Sequence, residues 1–549
     1  RDGLVTGVQT CALPISLNPG TGAEARTTTD EVGRAQFLLL RVGTYRVTVE
    51  HAGFEKLLRD DVVVNATRVV RLDLRLAVGA VTETVTVSEA TPLLQSENAT
   101  VGHVVEQRQI NSIPLATRNF TQLLGTTAGV MGSIFNADNP GTGSDTVSVN
   151  GARRGSNSLL VDGGSTDNAL NNSPGSEGIP SLEFLSEFRI LTSLYGAEYG
   201  KVLGSIVNVT TRAGTNQFHG AAYEFLRNTR LNARPFFNPK RGQNVQNQFG
   251  ANLGGPVRKN RTFFFGGWES SRQRNANAGS ATLLTVVPTS DQRNGNFGSA
   301  RIMDPTTGQP FPNNTIPQSR MSATSTAMQN KLVPLPNYTS GGATNFFAFQ
   351  SIPTNIDQYT IRGDHHLGEK DTVWGRYFES RWNTLSPFGQ GLPGFGSWTK
   401  FLKRTVSTHY THIFSPTLVL ETSFAYNLTF GRQAFTDQTT MESVGLKPLP
   451  NTLVTDGLPW TTISNYFNFG NYQRWVDRVT TSMLRHDMTW TRGRHNIKFG
   501  SEIRPNLYSN FNTLTARGLF NYSGAATGNS YARSEERRVG KDCISRWWP

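Results

Sequence analysis

Two adjacent histidines, His365-His366, are the first place to look for metal chemistry. They fall in a strand-like run, where successive side chains face opposite sides of a sheet, so the two rings cannot close on one ion. Asp162, Asp167 and Asn168 offer oxygen ligands, but the spacing and terminal glutamate of a calcium loop are absent, and a turn accounts for them. Gly151, Gly155, Gly163 and Gly164 are not framed by the strand–loop–helix unit that a phosphate-binding fingerprint requires. Neither a G-x-S-x-G elbow nor an H-E-x-x-H helix occurs. The expectation is a protein without catalytic residues, without a resident metal and without a cofactor.

The residues with the clearest pairing chemistry are instead Glu83-Thr84-Val85-Thr86-Val87. Alternating valine and threonine make a good strand. It reads either as the last strand of the unit before it, or as an edge to which another protein adds a strand through main-chain hydrogen bonds.

The elements around these residues are β-rich. The 549 residues are 17% charged and 10% aromatic, with 54 glycines, a mixture that suits strands and turns. No apolar run approaches the ~18–20 residues of a membrane helix. The net charge of +13 is dispersed along the chain rather than gathered into a phosphate-tracking block, which argues against nucleic-acid binding. Arg1–Ser16 and Arg533–Pro549 look like translated adapter sequence and are expected to lie outside the fold. Setting them aside leaves a charge of +11 and removes both cysteines, Cys11 and Cys543, and with them any disulfide, CxxC or cysteine–zinc site.

Residues 17–78 read as short strands between Gly/Asp turns: Ala35–Leu40, Thr44–Glu50, Val62–Asn65 and Val69–Leu76. The pattern T-T-D-x-x-G-x-x-x-F…G-x-Y-x-V-x-V-x-x-x-G-F resembles the carboxypeptidase regulatory-like domain, a β-sandwich related to carbohydrate-binding folds, with its first strand expected to be missing. Residues 79–92 form a linker that carries the Glu83–Val87 strand. Residues 93–214 begin with a short amphipathic helix after Pro114. Strands at 147–149 and 156–161, a helical stretch at Ser181–Glu187, and strands at Phe188–Leu191 and Ile206–Thr210 complete that unit.

From residue 215 to 532 the chain alternates. Leu418, Leu420, Thr422, Phe424, Tyr426, Leu428 and Phe430 share one face, and Glu421, Ser423, Asn427 and Thr429 the other. Charges recur on one face only, as in Arg485 and Asp487, or Lys498, Glu502 and Arg504. Tight turns at 257–261, 368–371, 415–416 and 491–494 alternate with long connections at 229–246, 274–356, 384–402 and 433–477, the layout of an outer-membrane barrel. About ten strands are expected, too few to close a plugged barrel, so the chain reads as a fragment. In such a wall His365 and His366 would divide between the lumen and the lipid or interface. Phe236-Phe237, Phe346-Phe347, Trp398, Trp460, Tyr466-Phe467 and Tyr472 are either interfacial girdle residues or ligand-stacking surfaces.

The stretches IPLATRNFTQLL, SVNGARRGSNSLLVDGG and EFRILTSLYGAEYGKVLGSIVNVTTRAGTNQFHG closely resemble the plug of Oar-like TonB-dependent transporters. Glu83, Thr84, Val85, Thr86 and Val87 are similar to the TonB box of those proteins. The resemblance implies a mainly β protein with a sandwich, an α+β plug and an incomplete antiparallel barrel in the outer membrane of a Gram-negative-type bacterium, sandwich and plug on the periplasmic side. Its implied partners are TonB, outer-membrane lipid and an arriving ligand, an oligosaccharide, peptide or metal chelate. An adhesin or signalling receptor on the same barrel, or a carbohydrate-binding β-protein, remain the alternatives.

Overall fold

The computed structural model describes residues 12–524, apart from several short runs and the longer segments 87–99, 132–147, 168–178, 234–242 and 448–456. The first unit is one five-stranded sheet in the order β2-β1-β3-β4-β5. Its strands are β1 Leu13–Leu17, β2 Glu24–Arg26, β3 Gly43–Glu50, β4 Lys56–Val64 and β5 Thr84–Thr86. Tyr45, Val47 and Val49 alternate inward with Leu57 and Val62 to form its core. Val70, Leu72, Leu74 and Leu76 pack on that core from an extended segment. This second layer is held by alternate side chains without a strand ladder, so the strand expected at Val69–Leu76 is absent from its described residues. The described residues of Ala35–Leu40 likewise form no strand.

The expected exclusion of Arg1–Ser16 needs correction at its end. Leu13–Ser16 belong to β1, which pairs with β3 from Leu13↔Glu50 to Leu17↔Arg46, and Ala12 is buried. The first strand of the unit is therefore present. The likeness of Arg1–Ser16 to adapter sequence hid it, although Leu13–Leu17 pair along β3, with Pro14 opposite Val49. Residues 1–11 and 533–549 lie outside the described residues.

The second unit has β6 Val101–Glu106, β7 Val130–Met131, β8 Ser148–Val149, β9 Ser158–Val161, β10 Gly164–Ser165, β11 Leu185–Ser193 and β12 Ile206–Thr211, with short helices α1 Gln107–Ser112 and α2 Thr121–Leu124. Its sheet runs β10-β9-β12-β11-β6, with β9 and β12 parallel. Phe120, Leu123 and Leu124 cover that sheet against Phe188, Ile190 and Val209, as the amphipathic spacing requires. The helix expected over Ser181–Glu187 shrinks to one 3-10 turn, Leu182–Phe184, capped by the Ser181 hydroxyl, which accepts from the Glu183 N–H. Phe184 is buried at the end of that turn, and Leu185 and Phe188 are buried along the extended backbone of β11.

The third unit is a ten-stranded antiparallel sheet. Its strands are β13 His219–Arg227, β14 Asn244–Arg258, β15 Thr262–Asn275, β18 Ile352–His366, β19 Asp371–Ser386, β20 Ser397–Ser415, β21 Leu418–Phe435, β24 Trp475–Arg492, β25 His495–Ile503 and β26 Asn506–Asn512. β25 and β26 succeed one another along the far edge of β24, and β13 is the other edge, so the sheet stays open as a partial barrel does. One face of the wall holds the second unit. The opposite face carries Leu420, Phe424, Tyr426, Leu428, Phe430, Leu484 and Met488, the apolar alternation of a lipid-facing wall.

The long connections fold into a cap with its own core. β16 Thr282–Thr285 pairs with β17 Phe346–Phe349, and β22 Trp460–Ile463 with β23 Asn468–Phe469 and β27 Leu519–Tyr522. Val287, Met328, Phe346, Phe395, Leu446, Phe467 and Phe469 come together there from three connections.

Candidate functional site: the plug–wall latch and the segment that precedes it

Asp162 sits at the turn that closes β9, in the left-handed region at φ 50°, and Gly163 follows at φ 80°. A short polar side chain tolerates that backbone, and glycine adopts it freely. The turn aims the Asp162 carboxylate along β12. Thr211 donates to it twice, from N–H at 2.8 Å and from Oγ1 at 2.7 Å. From the wall, Arg376 Nε approaches Asp162 Oδ2 at 2.9 Å and Arg362 Nη1 approaches Oδ1 at 3.6 Å. Arg362 also forks onto Asp364, with both contacts at 3.0 Å, and its guanidinium lies 4.4 Å from the Trp374 ring centroid. The first unit completes the network, because Arg41 Nη1 donates to Asp364 Oδ1 at 2.9 Å.

Three cations and two carboxylates thus meet where the first unit, the second unit and the wall converge. Arg376, Asp162 and Asp364 are almost fully enclosed. Burial pulls the Arg41 guanidinium below its ordinary value, and neighbouring Asp364 opposes that shift. A pair of this kind gains little over an apolar contact but costs several kcal/mol when one partner is removed.

Three further wall residues, Glu269, Gln358 and Asn427, seat the second unit. The Ser181 hydroxyl donates to Glu269, which also accepts from Gln248 Nε2 at 2.9 Å and from the Tyr223 hydroxyl at 2.8 Å. Gln358 brackets the same segment, accepting from Ser181 N–H at 2.9 Å and donating to Ile179 O at 2.8 Å. Asn427 donates to Ser165 O at 2.6 Å. Glycines allow the approach: a Cβ on Gly267 would stand 2.5 Å from the Phe184 ring. A Cβ on Gly164 would stand 2.9 Å from Ala425.

The first unit lies at the short-turn end of the wall. Asn216 N–H donates to Gly20 O at 2.7 Å, and the Asn216 and Asn260 side chains bond at 2.6 Å. A cavity of about 3390 Å³ opens between this unit and the wall, and Asp162, Arg212 and Arg362 line it. Upstream of the latch, β5 is an edge strand, joined to β4 by three parallel rungs, Lys56↔Thr84, Leu57↔Val85 and Leu58↔Thr86. Glu83 and Val87 lie outside the described residues.

The other sequence-level candidates separate cleanly. His365 faces outward and bonds Thr262 at 2.8 Å, while His366 lies on the opposite face with its ring 6.0 Å from Phe263. Asp167 is held inside the second unit by Leu159 N–H at 2.9 Å and by the Ser158 and Ser165 hydroxyls. Burial raises its pKa, and those three hydrogen bonds oppose the rise. Asn168 lies outside the described residues. Phe346, Tyr466 and Phe467 are core of the cap and unavailable for stacking on a ligand. Phe347 is more exposed, Trp460 is half-buried, and Trp398 is half-buried on the outward face of β20. Phe236, Phe237 and Tyr472 lie outside the described residues. Arg362, Asp364 and Arg376 went unnoticed in the sequence; the signal was charge on the lumen-facing positions of β18 and β19.

A plug-like unit packed against one face of a partial β-wall is the architecture of an outer-membrane barrel. The chain matches the family described as Outer membrane beta barrel domain over residues 210–540, more than half its length, and belongs to that family. Residues 14–77 match the Carboxypeptidase regulatory-like domain. Among curated proteins it resembles the TonB-dependent transporter Oar of Myxococcus xanthus, 31% identical over 290 residues. That match covers 49% of this chain and 26% of the relative, so the chain spans about a quarter of the relative's length. Similar solved structures include the outer membrane transporter YddB from Escherichia coli (TM-score 0.48, 13% identity, 74% of this chain and 48% of that one). The siderophore receptor PirA from Acinetobacter baumannii is another (TM-score 0.44, 12% identity, 74% and 48%). The protein is an outer-membrane barrel protein.

Proposed function

We propose that this chain is the gate-bearing part of an outer-membrane TonB-dependent transporter of the Oar type. In this reading residues 93–214 are the plug, 79–92 the coupling linker and 215–532 the partial wall. The observation that carries it is the Asp162–Arg362–Arg376 latch, a polar hold between plug and wall. Such a hold can be broken and remade without exposing a large apolar surface.

TonB adds a strand to Glu83–Val87. The segment is reachable because, among the described residues, three rungs tie β5 to the sheet and no strand pairs with its outer edge. Pull transmitted through the linker strains the plug where it meets the latch, and ligand released from the long-connection end passes along the wall. The ligand is an oligosaccharide, a peptide or a metal chelate. The steps are binding and displacement, and none calls for covalent chemistry by this chain. An adhesin or signalling role would use the same cap and wall without the coupling strand.

Val85→Pro tests the reading, since proline removes the main-chain donor at the centre of the segment. Uptake of the cognate ligand should fall to the level of a TonB-deficient strain, with surface binding unchanged. Undiminished uptake would exclude coupling through this segment.

A further inference from the structure

The wall carries an unexplained surplus of positive charge on the side that faces away from the plug. Register fixes that side. Arg376, Ser407, Ala425 and Met483 share one cross-strand row on the lumen face, so Lys400, Arg404, Arg432 and Arg478 point outward. A tilted strand crosses the hydrocarbon in about 9–11 residues. Arg404 stands 11 residues from the short turns at 415–418 and 492–495, and Lys400, Arg432 and Arg478 stand 14–15 residues from them, past the far edge of the hydrocarbon. They therefore stand at the outer-leaflet headgroup level.

Their pairing is unusual. Lys400 and Arg432 are direct cross-strand partners, and Arg478 stands one diagonal step away, opposite Phe430. Like charges facing each other across a ladder destabilise it unless an anion sits between them. Elsewhere on this face carboxylates supply that anion: Asp357 accepts Arg272 at 2.7 Å, and Glu379 accepts both Arg381 and Arg404, at 2.6 and 2.8 Å. Among the described residues, no carboxylate lies within ion-pair distance of Lys400, Arg432 or Arg478. Directly toward the short turns the same face carries Leu402, Phe430 and Leu428, with Arg404, already paired to Glu379, opposite Leu428.

We propose that Lys400, Arg432 and Arg478 form a binding site for the phosphate group of an outer-leaflet lipid. A phosphate between the opposed cations neutralises them, and the lipid's acyl chains lie along the apolar row beneath. A soluble anion would meet the same charges but would gain nothing from that row. The inference rests on the outer-membrane barrel and not on the coupling mechanism.

The test uses the full chain, purified from outer membranes and exchanged into phosphatidylcholine vesicles. The vesicles are doped with diphosphorylated lipid A or with the same lipid after dephosphorylation. Lipid retained through re-extraction is quantified by mass spectrometry. Each cation near a phosphate surface is worth about 1 kcal/mol, or roughly fivefold. The double variant Lys400→Gln/Arg432→Gln should thus retain roughly 25-fold less phosphorylated lipid, and high salt should mimic it. Lys400→Arg should restore retention, and Lys259→Gln at the opposite end of the wall should leave it unchanged. Heat-modifiable gel migration verifies that each variant is folded. Equal retention of the dephosphorylated lipid, or full retention by the folded double variant, would overturn the proposal. Inorganic phosphate binding as tightly as the lipid would reassign the site to a soluble anion and overturn it as well.

Discussion

Asp162→Asn is the sharpest perturbation of the latch. Asparagine keeps the size and can still accept from Thr211, but it removes the charge that Arg376 and Arg362 face. Arg376 is then left inside the wall with no carboxylate of its own, because Asp364 is already engaged by Arg362 and Arg41. Stranding one member of a buried pair costs about 3–5 kcal/mol. Taking the lower figure, because Arg362 and Arg41 still share Asp364, the ratio of docked to undocked plug should fall about 150-fold. The assay is urea titration of the complete transporter of which this chain is proposed to be part, inserted in a membrane and followed by protease cleavage within residues 93–214 and by single-channel conductance. The midpoint for plug release should drop while the barrel's heat-modifiable migration is unchanged. Replacing both partners, Asp162→Asn with Arg376→Gln, should recover part of the loss, since no charge is then stranded. An unchanged midpoint in Asp162→Asn would refute the latch, as would a double variant no better than the sum of the singles.

Two other outcomes follow from the cap and its loops. Phe467→Ala removes a ring from the core shared by three connections and should cost about 3–5 kcal/mol, seen as protease cleavage in 276–351 and 433–474 while the wall persists. Asp304, between β15 and β18, is forked by Arg320 at 3.0 and 3.1 Å, and this bonding lowers its pKa to about 2. A depressed carboxylate contributes stability that is present above its unfolded pKa and lost as pH falls through the folded value. Because Arg320 is partly exposed, that contribution is on the order of 1 kcal/mol. Cap protease resistance should therefore weaken between about pH 4 and pH 2, and Asp304→Asn should be weaker at neutral pH and flat across that window.

Much of the fold is local and was legible in the sequence. Period-two alternation assigned the lipid face of β21, β24 and β25 residue by residue, since a strand cannot turn alternate side chains to the same side. The failures are equally local. The adapter-like look of Arg1–Ser16 hid the strand Leu13–Leu17. Val69–Leu76 alternates perfectly yet forms no ladder in its described residues, because alternation reports burial of one face and says nothing about a hydrogen-bonded neighbour.

The sequence by itself therefore determined the succession of units, the sidedness of each strand and the outer-membrane class. Only the tertiary structure decided what the charges are for. Asp162, Arg362 and Arg376 are separated by up to roughly two hundred residues and become a latch through the seating of one unit against another. Lys400 and Arg432 become an opposed pair only through the β20–β21 register. The aromatics of the long connections divide in the same way, with Phe467 inside a cap core and Trp398 outward on the wall. Residue type and spacing set which face a side chain takes, whereas its partner depends on how distant segments are brought together, and partners determine whether a charge locks, binds or merely solvates.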